Sequence, residues 1–299
     1  MRIFLIFLLL VSSMRSGWAD KDKKLEVVVS FSILADFTKV IGGAHVRVTS
    51  IIPPDSDPHV YQPTPEVATL ISHADLVIMN GLGFEGWIDR LLGATDYKGL
   101  VTIATQGITP RTLLDPALPS APPVPDPHAW HDVRHAMVYV KNISDALIRL
   151  DPAHQKDYKA RTRSYLQQLH NLDTWIRGKF SRIPQKRRKI ISAHDAFGYL
   201  AARYGIKIYA LQGISTESEP SARQIADLVQ LIHKHHICAL FSENITNHQL
   251  LEQIAHETNI ETGGVLYSDA LSGDTGPATT YLEFMRYNVT TLCSVLEQN

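Results

Sequence analysis

Short β-branched runs alternating with longer amphipathic stretches predict an α/β protein of two lobes. Each lobe is expected to be a mostly parallel four-stranded sheet flanked by helices. Three observations carry this expectation. The strand-like runs fall into two groups of four, one uninterrupted helical stretch lies between the groups, and 299 residues exceed what one core of ordinary size comfortably holds.

The chain opens MRIFLIFLLLVSSMRSGWAD, with a cation at Arg2, an apolar run from Ile3 to Val11, and small residues around Gly17 and Ala19. This is the pattern of a secretory signal over residues 1–19, cut after Ala19. The apolar run is far shorter than the ~20 residues a membrane-spanning helix needs. No Cys lies near the cleavage point, so a lipid-anchored form is not expected, and the mature chain is expected to be periplasmic. Removing the signal takes away two of the 29 cations and none of the 30 anions, leaving a net charge of −3. That balance gives no basic footprint for nucleic acid.

In the first lobe, residues 20–150, the strand candidates are Leu25 to Ser30, Val46 to Ile52, Leu76 to Asn80 and Leu100 to Ala104. In the second, residues 185–299, they are Lys189 to Ala193, Ile206 to Leu211, Ile237 to Ser242 and Gly264 to Tyr267. Between them, residues 151–184 hold a stretch with Tyr158, Tyr165, Leu169, Leu172 and Ile176 at helical spacing, opened by Asp151 as N-cap and Pro152 in the first turn. One long rigid helix joining the lobes is the reading; an ordinary packed helix of the first lobe has the same periodicity. Pro110 to Pro127 contains seven prolines and reads as an irregular surface loop that leads into DPHAWHD.

Of fourteen histidines, six stand singly in polar or amphipathic contexts (His45, His73, His154, His170, His248 and His256) and receive no function. Three others stand beside carboxylates or prolines at loop mouths: His59 in PDSDPHVYQP, His128 in PDPHAWHD and His194 in IISAHDAFGYL. In the repeated Asp-Pro-His, proline fixes the backbone before the imidazole, so a ligand there has little conformational freedom to lose. His194 and Asp269, the latter in GGVLYSDALSG, each follow a strand, and α/β sheets bind ligands at the carboxyl ends of their strands. Three imidazoles and a carboxylate suit zinc or manganese. Each residue also has an ordinary alternative, a helix cap for His194 and Asp269 and a turn for His59 and His128. His233, His235 and His236 form a further cluster, either an accessory metal site or a solvated helix end.

The segments DPHVYQPTPEV, DPHAWHD, ISAHDAFGYLAARYGI, GISTESEPSARQI, FSENIT and GGVLYSDALS resemble, in order and over essentially the whole mature chain, the metal-binding solute receptors of ABC importers, the ZnuA- and TroA-like cluster. The resemblance implies metal held in the cleft between the lobes by His59, His128, His194 and Asp269. It implies Zn2+ or Mn2+ as the transported ligand, an importer permease as membrane partner, a monomer, and no enzymatic activity. Manganese-selective members of the family often have Glu at the position of His194, whereas zinc-type members have His. The chain departs from many zinc receptors in lacking a long His- and Asp-rich insertion before Asp126. His131 receives no ligand role, and Glu243 is expected behind or at the rim of the site. A metal-dependent hydrolase using Glu243 as base, and a surface adhesin, are the competing readings; no HExxH is present to support the first.

Two cysteines, Cys238 and Cys293, lie in the last quarter of the chain. In an oxidising compartment they read as a disulfide pinning a C-terminal helix, Thr280 to Leu296, onto the strand Ile237 to Ser242, with two buried free thiols as the alternative. Some zinc receptors carry a pair at similar places. Because protons compete with metal for imidazole, affinity is expected to weaken as pH falls toward the unperturbed value of about 6.5.

Overall fold

The computed structural model describes residues 23–113, 122–235, 237 and 239–298. The expected signal lies outside them, as do Cys238 and His236. The first lobe alternates β1 (Leu25–Val29), α1 (Ser32–Gly42), β2 (Val46–Ser50), α2 (Pro65–Ser72), β3 (Leu76–Met79), α3 (Ile88–Ala94) and β4 (Leu100–Ile103). A short antiparallel pair, β5 (Thr112–Leu113) with β6 (Val124–Pro125), then turns the chain toward the cleft. Two long helices follow, α4 (Val133–Leu150) and α5 (Gln155–Ser181). The second lobe comprises β7 (Lys189–Ser192), α6 (Gly198–Tyr204), β8 (Lys207–Ala210), α7 (Ala222–His235), β9 (Ala239–Glu243), α8 (Gln249–Thr258), β10 (Glu261–Leu266) and α9 (Tyr281–Gln298).

Both four-stranded sheets are wholly parallel, in the orders β2-β1-β3-β4 and β10-β9-β7-β8. Parallel strands are buried on both faces and read as continuous apolar runs. Val27, Val28 and Val29 of β1 and all four residues of β3 are buried accordingly. The eight strands fall where the sequence places them, with ends shifted by at most three residues, the largest shift being the earlier start of β10 at Glu261.

The long helix differs in one detail. Pro152 to His154 form a single 3-10 turn, and α5 begins at Gln155. Asp151 does not cap a backbone N–H with its side chain. Its carboxylate accepts from Tyr158 OH at 2.7 Å and lies 2.6 Å from His154 Nδ1, because proline at 152 removes one donor and those two side chains reach the oxygen first. Along α5, Tyr158, Thr162, Tyr165, Leu169, Leu172, Ile176 and Phe180 form one buried stripe, as a 3.6-residue period requires. The stripe joins a core shared with α1, α4 and α9, so α5 is a packed brace against both lobes. A smaller, separate core holds α7 and α8 against the second sheet.

Helix α9 opens with a capping box: Glu283 N donates to Thr280 Oγ1 at 3.3 Å, and Thr280 N donates to Glu283 Oε2 at 3.1 Å. Its inner face buries Phe284, Met285, Val289, Leu292 and Cys293. The expected disulfide is not found among the described residues, which leave out its partner Cys238; Cys293 is a free, buried thiol, pushed up to about 11 by burial and the charge of Glu297. Apolar packing covers the Cys293 thiol. Cys293 should therefore resist a thiol reagent in the native protein and react once the unreduced protein is unfolded. A Cys293 that stays unreactive after unfolding without reductant would show that it is bonded.

Candidate metal centre

Four loop mouths converge where the carboxyl ends of the two sheets face each other. His59 lies on the β2–α2 segment, His128 between β6 and α4, His194 two residues beyond β7, and Asp269 three residues beyond β10. His128, His194 and Asp269 are fully buried, and the His59 side chain is 6% exposed. One ligand atom from each lies within 4.8 Å of all the others. His59 Nε2 is 3.1 Å from Asp269 Oδ2 and 3.4 Å from His128 Nε2. His194 Nε2 is 3.2 Å from Asp269 Oδ2, and His128 Nε2 is 3.6 Å from Asp269 Oδ1. Bonds of ~2.0 to 2.1 Å to a tetrahedral ion imply ligand-to-ligand edges of ~3.3 to 3.4 Å. The four close contacts fall around that value, and the widest separation in the group stays within 4.8 Å, a spacing that one ion could draw together.

The helix-cap alternatives for His194 and Asp269 are not taken, whereas His59 and His128 do stand in turns. Phe197 precedes α6, and no helix follows Asp269 until Tyr281, so neither His194 nor Asp269 caps a helix. Both Asp269 oxygens and His194 Nε2 are buried without a hydrogen bond of normal geometry. Buried carboxylates are rarely left so, because the desolvation cost goes uncompensated.

Carboxylates behind the imidazoles aim them. Asp126 Oδ1 accepts from His128 N at 3.0 Å and lies 2.9 Å from His128 Nδ1. Its Oδ2 accepts from Arg111 Nη1 at 3.1 Å. Glu243, at the end of β9, does the same for His194: Oε1 accepts from His194 N at 2.9 Å, and Oε2 lies 2.5 Å from Nδ1. Such partners orient the ring and turn Nε2 toward the centre of the cage. Asp57 Oδ1 accepts from His59 N at 2.9 Å. The repeated Asp-Pro-His therefore works through its aspartates as well as its prolines: each carboxylate closes a turn onto the N–H of the histidine two residues on. Sequence reasoning credited the proline alone and missed Asp57 and Asp126. The signal was present in the motif repeat itself.

Phe84 and Trp130 wall the first-lobe side, and Trp130 Nε1 donates to Ser268 O at 3.0 Å, fixing the Asp269 segment against the first lobe. His131 is outside the cage; it is buried between Phe197 and Phe284, where burial and the neighbouring His128 charge push it down to about 3. Among the described residues the accessory histidine cluster is not assembled. His233 is exposed, His235 stacks on Tyr209, and the four-residue cage is the only metal-sized group among the described residues.

Burial acts to lower His128, but the charges of Asp269 and Asp126 outweigh it and hold the imidazole up at about 9. His194 is likewise raised, by Glu243 and Asp269 against burial, while the two imidazoliums hold Asp269 well below the usual carboxylate range despite its burial. Without metal the surrounding carboxylates therefore favour the protonated form of both imidazoles.

Two α/β lobes, each with a parallel four-stranded sheet, closed on a cage of three imidazoles and a carboxylate, define a two-lobed solute receptor built for a cation. The chain belongs to the family described as ZnuA, zinc-uptake complex component A, periplasmic, whose model matches residues 27–295. It is 34% identical over 275 residues to the iron-binding protein YfeA of Yersinia pestis, covering 92% of this chain and 87% of that one. It is 32% identical to the zinc-binding protein TroA of Treponema pallidum, covering 93% and 91%. The solved periplasmic zinc-binding protein TroA superposes with a TM-score of 0.85 at 30% identity, covering 92% and 99%. A manganese-bound periplasmic metal-binding protein from Candidatus Liberibacter asiaticus does so at 0.81 and 32%, covering 91% and 100%.

The raised His128 sets the sign of the pH response of the metal-free protein. A folded-state value above the unfolded one of about 6.5 contributes stability that is complete below pH 6.5 and lost as pH rises through about 9. Melting curves of metal-free protein should therefore fall between pH 6.5 and 9, and Asp126→Asn should flatten that slope. A metal-free melting temperature that rises across this window would refute the protonated cage.

Proposed function

We propose that this chain captures a divalent transition metal, zinc or manganese, outside the cytoplasmic membrane and delivers it to the permease of an ABC-type importer. Residues 1–19 act as a cleaved signal. The mature protein works as a monomer of two lobes, 20–150 and 185–299, braced by the connecting segment 151–184 that holds α5. His59, His128, His194 and Asp269 are the metal ligands. The observation that carries this reading is the convergence of four side chains from both lobes, one ligand atom from each lying within 4.8 Å of all the others. Nitrogen-rich coordination with one carboxylate suits zinc and manganese. Relatives named for zinc and manganese support the same choice.

A hydrolase would need a base facing a metal-bound water. Glu243 instead faces Nδ1 of His194, the side of the ring turned away from the cage, which favours a receptor over an enzyme. With four protein ligands the coordination is closed, as suits an ion that is held rather than used.

Metal must displace the protons of the cage. Binding therefore weakens on acidification, and the raised His128 carries the dependence up to about pH 9, above the ordinary imidazole range inferred from residue type alone. Calorimetric titration of metal-free protein with zinc and with manganese should find affinity climbing from pH 6 to 9. Saturating metal should also raise the melting temperature, by about 2.7 kcal/mol of stabilisation at a hundredfold excess over Kd. His194→Ala should lose more than the roughly 10- to 100-fold that an outer partner is worth, together with the thermal shift. Exposed His233→Ala should keep both. Normal affinity in His194→Ala would overturn the ligand assignment.

A further inference from the structure

The segment that carries His59 also reaches across the mouth of the cleft. Asp55 sits in the left-handed region at φ 54, its N–H donating to Leu271 O at 2.9 Å. Its carboxylate accepts from Gly273 N at 2.8 Å and from Asn244 Nδ2 at 3.0 Å. Two residues on, Asp57 divides its carboxylate between the lobes: Oδ1 accepts from His59 N at 2.9 Å, and Oδ2 accepts from Thr216 Oγ1 at 2.5 Å. Asn244, Leu271, Gly273 and Thr216 all belong to the second lobe, and none is part of the cage.

His59 differs from the other three cage residues in two ways. It stands nine residues beyond its strand, on a segment with no regular structure of its own, and it alone retains some exposure. An ion enclosed by three fully buried ligands leaves most readily when the fourth withdraws first. The bonds that hold His59 in place are near the surface: Asp55 is exposed, so water can replace its partners without opening the core. Beside the Asp57–Thr216 contact lies a cavity of about 130 Å³, lined also by Ala193, Leu211 and Leu251, into which the segment has space to shift. A left-handed backbone at a non-glycine residue persists only while its surroundings hold it.

We propose that Asp55 and Asp57 form a clasp between the lobes that holds His59 on the captured ion and sets the rate of release. The clasp rests on the receptor reading above, and the two fail separately. Asp55→Gly keeps the left-handed backbone, which glycine adopts freely, and removes both carboxylate bonds. Thr216→Val removes the hydroxyl and leaves the Asp57 bond to His59 N intact. Zinc-loaded full-length protein is mixed with excess chelator in stopped flow, association is timed with zinc alone, and the cobalt form is followed by its visible absorption. Each variant should release zinc about tenfold faster, the factor that loss of one or two exposed hydrogen bonds gives. Association rate and cobalt spectrum should stay as in the wild type, because the four ligands are unchanged. Release within twofold of wild type in both variants, or an altered cobalt spectrum, overturns the clasp. Wild type that takes up neither zinc nor manganese overturns the receptor reading, and the clasp with it.

Discussion

Everything in this molecule is arranged around a carboxylate, Asp269, buried to zero exposure with neither oxygen in a hydrogen bond of normal geometry. Removing an ionised carboxylate from water costs several kcal/mol unless positive charge replaces the solvent. In the metal-free protein that charge is favoured on His128, raised by Asp269 and Asp126, and on His194, raised by Glu243 and Asp269, both against burial. On the proposed reading the ion takes over from those protons. One lobe cannot supply the compensation alone: two imidazoles come from the first lobe, and the third shares the second lobe with Asp269. The electrostatic requirement of one buried oxygen pair therefore dictates that the lobes meet.

The meeting point is made reproducible by rigidity on both sides. Two parallel sheets present their carboxyl ends to each other, and two of the three imidazoles are aimed from behind by an acid, Asp126 for His128 and Glu243 for His194. Arg111 holds the far oxygen of Asp126, while Tyr199 OH accepts from Arg111 N and donates to Asp126 O, so α6 of the second lobe steadies a cage residue of the first. Trp130 ties the Asp269 segment in the opposite sense. The cage residues thus belong to lobes by sequence, but their supports cross the cleft.

Helix α5 gives the same lesson at larger scale. Its apolar stripe enters the core of α1, α4 and α9, so the helix that joins the lobes in sequence also braces them in space. Asp36 of α1 marks the junction: it accepts from Tyr281 N of α9 at 2.9 Å and faces Tyr165 OH of α5, and burial raises it from 3.8 to about 6.

The strands, the long helix and the four residues of the cage were all legible in the linear order of residues. Strand burial writes itself as Val- and Ile-rich runs, α5 as a 3.6-residue stripe, and the cage as unusual residue types at strand ends. The start of the C-terminal helix at Thr280 was equally plain, though the use of Asp151 was hidden, since its partners Tyr158 and His154 compete with the backbone only once the turn is built. That Glu243 stands behind His194 was settled by the folded chain alone, because the two are 49 residues apart and meet through the pairing of β7 with β9. The protonation of His128 was settled there too, since it follows from the distance to Asp269 and the exclusion of water, neither of which a string of residues contains. Cys293 belongs to the same group: whether a thiol is bonded or merely packed depends on what lies against α9, and there the apolar face prevailed.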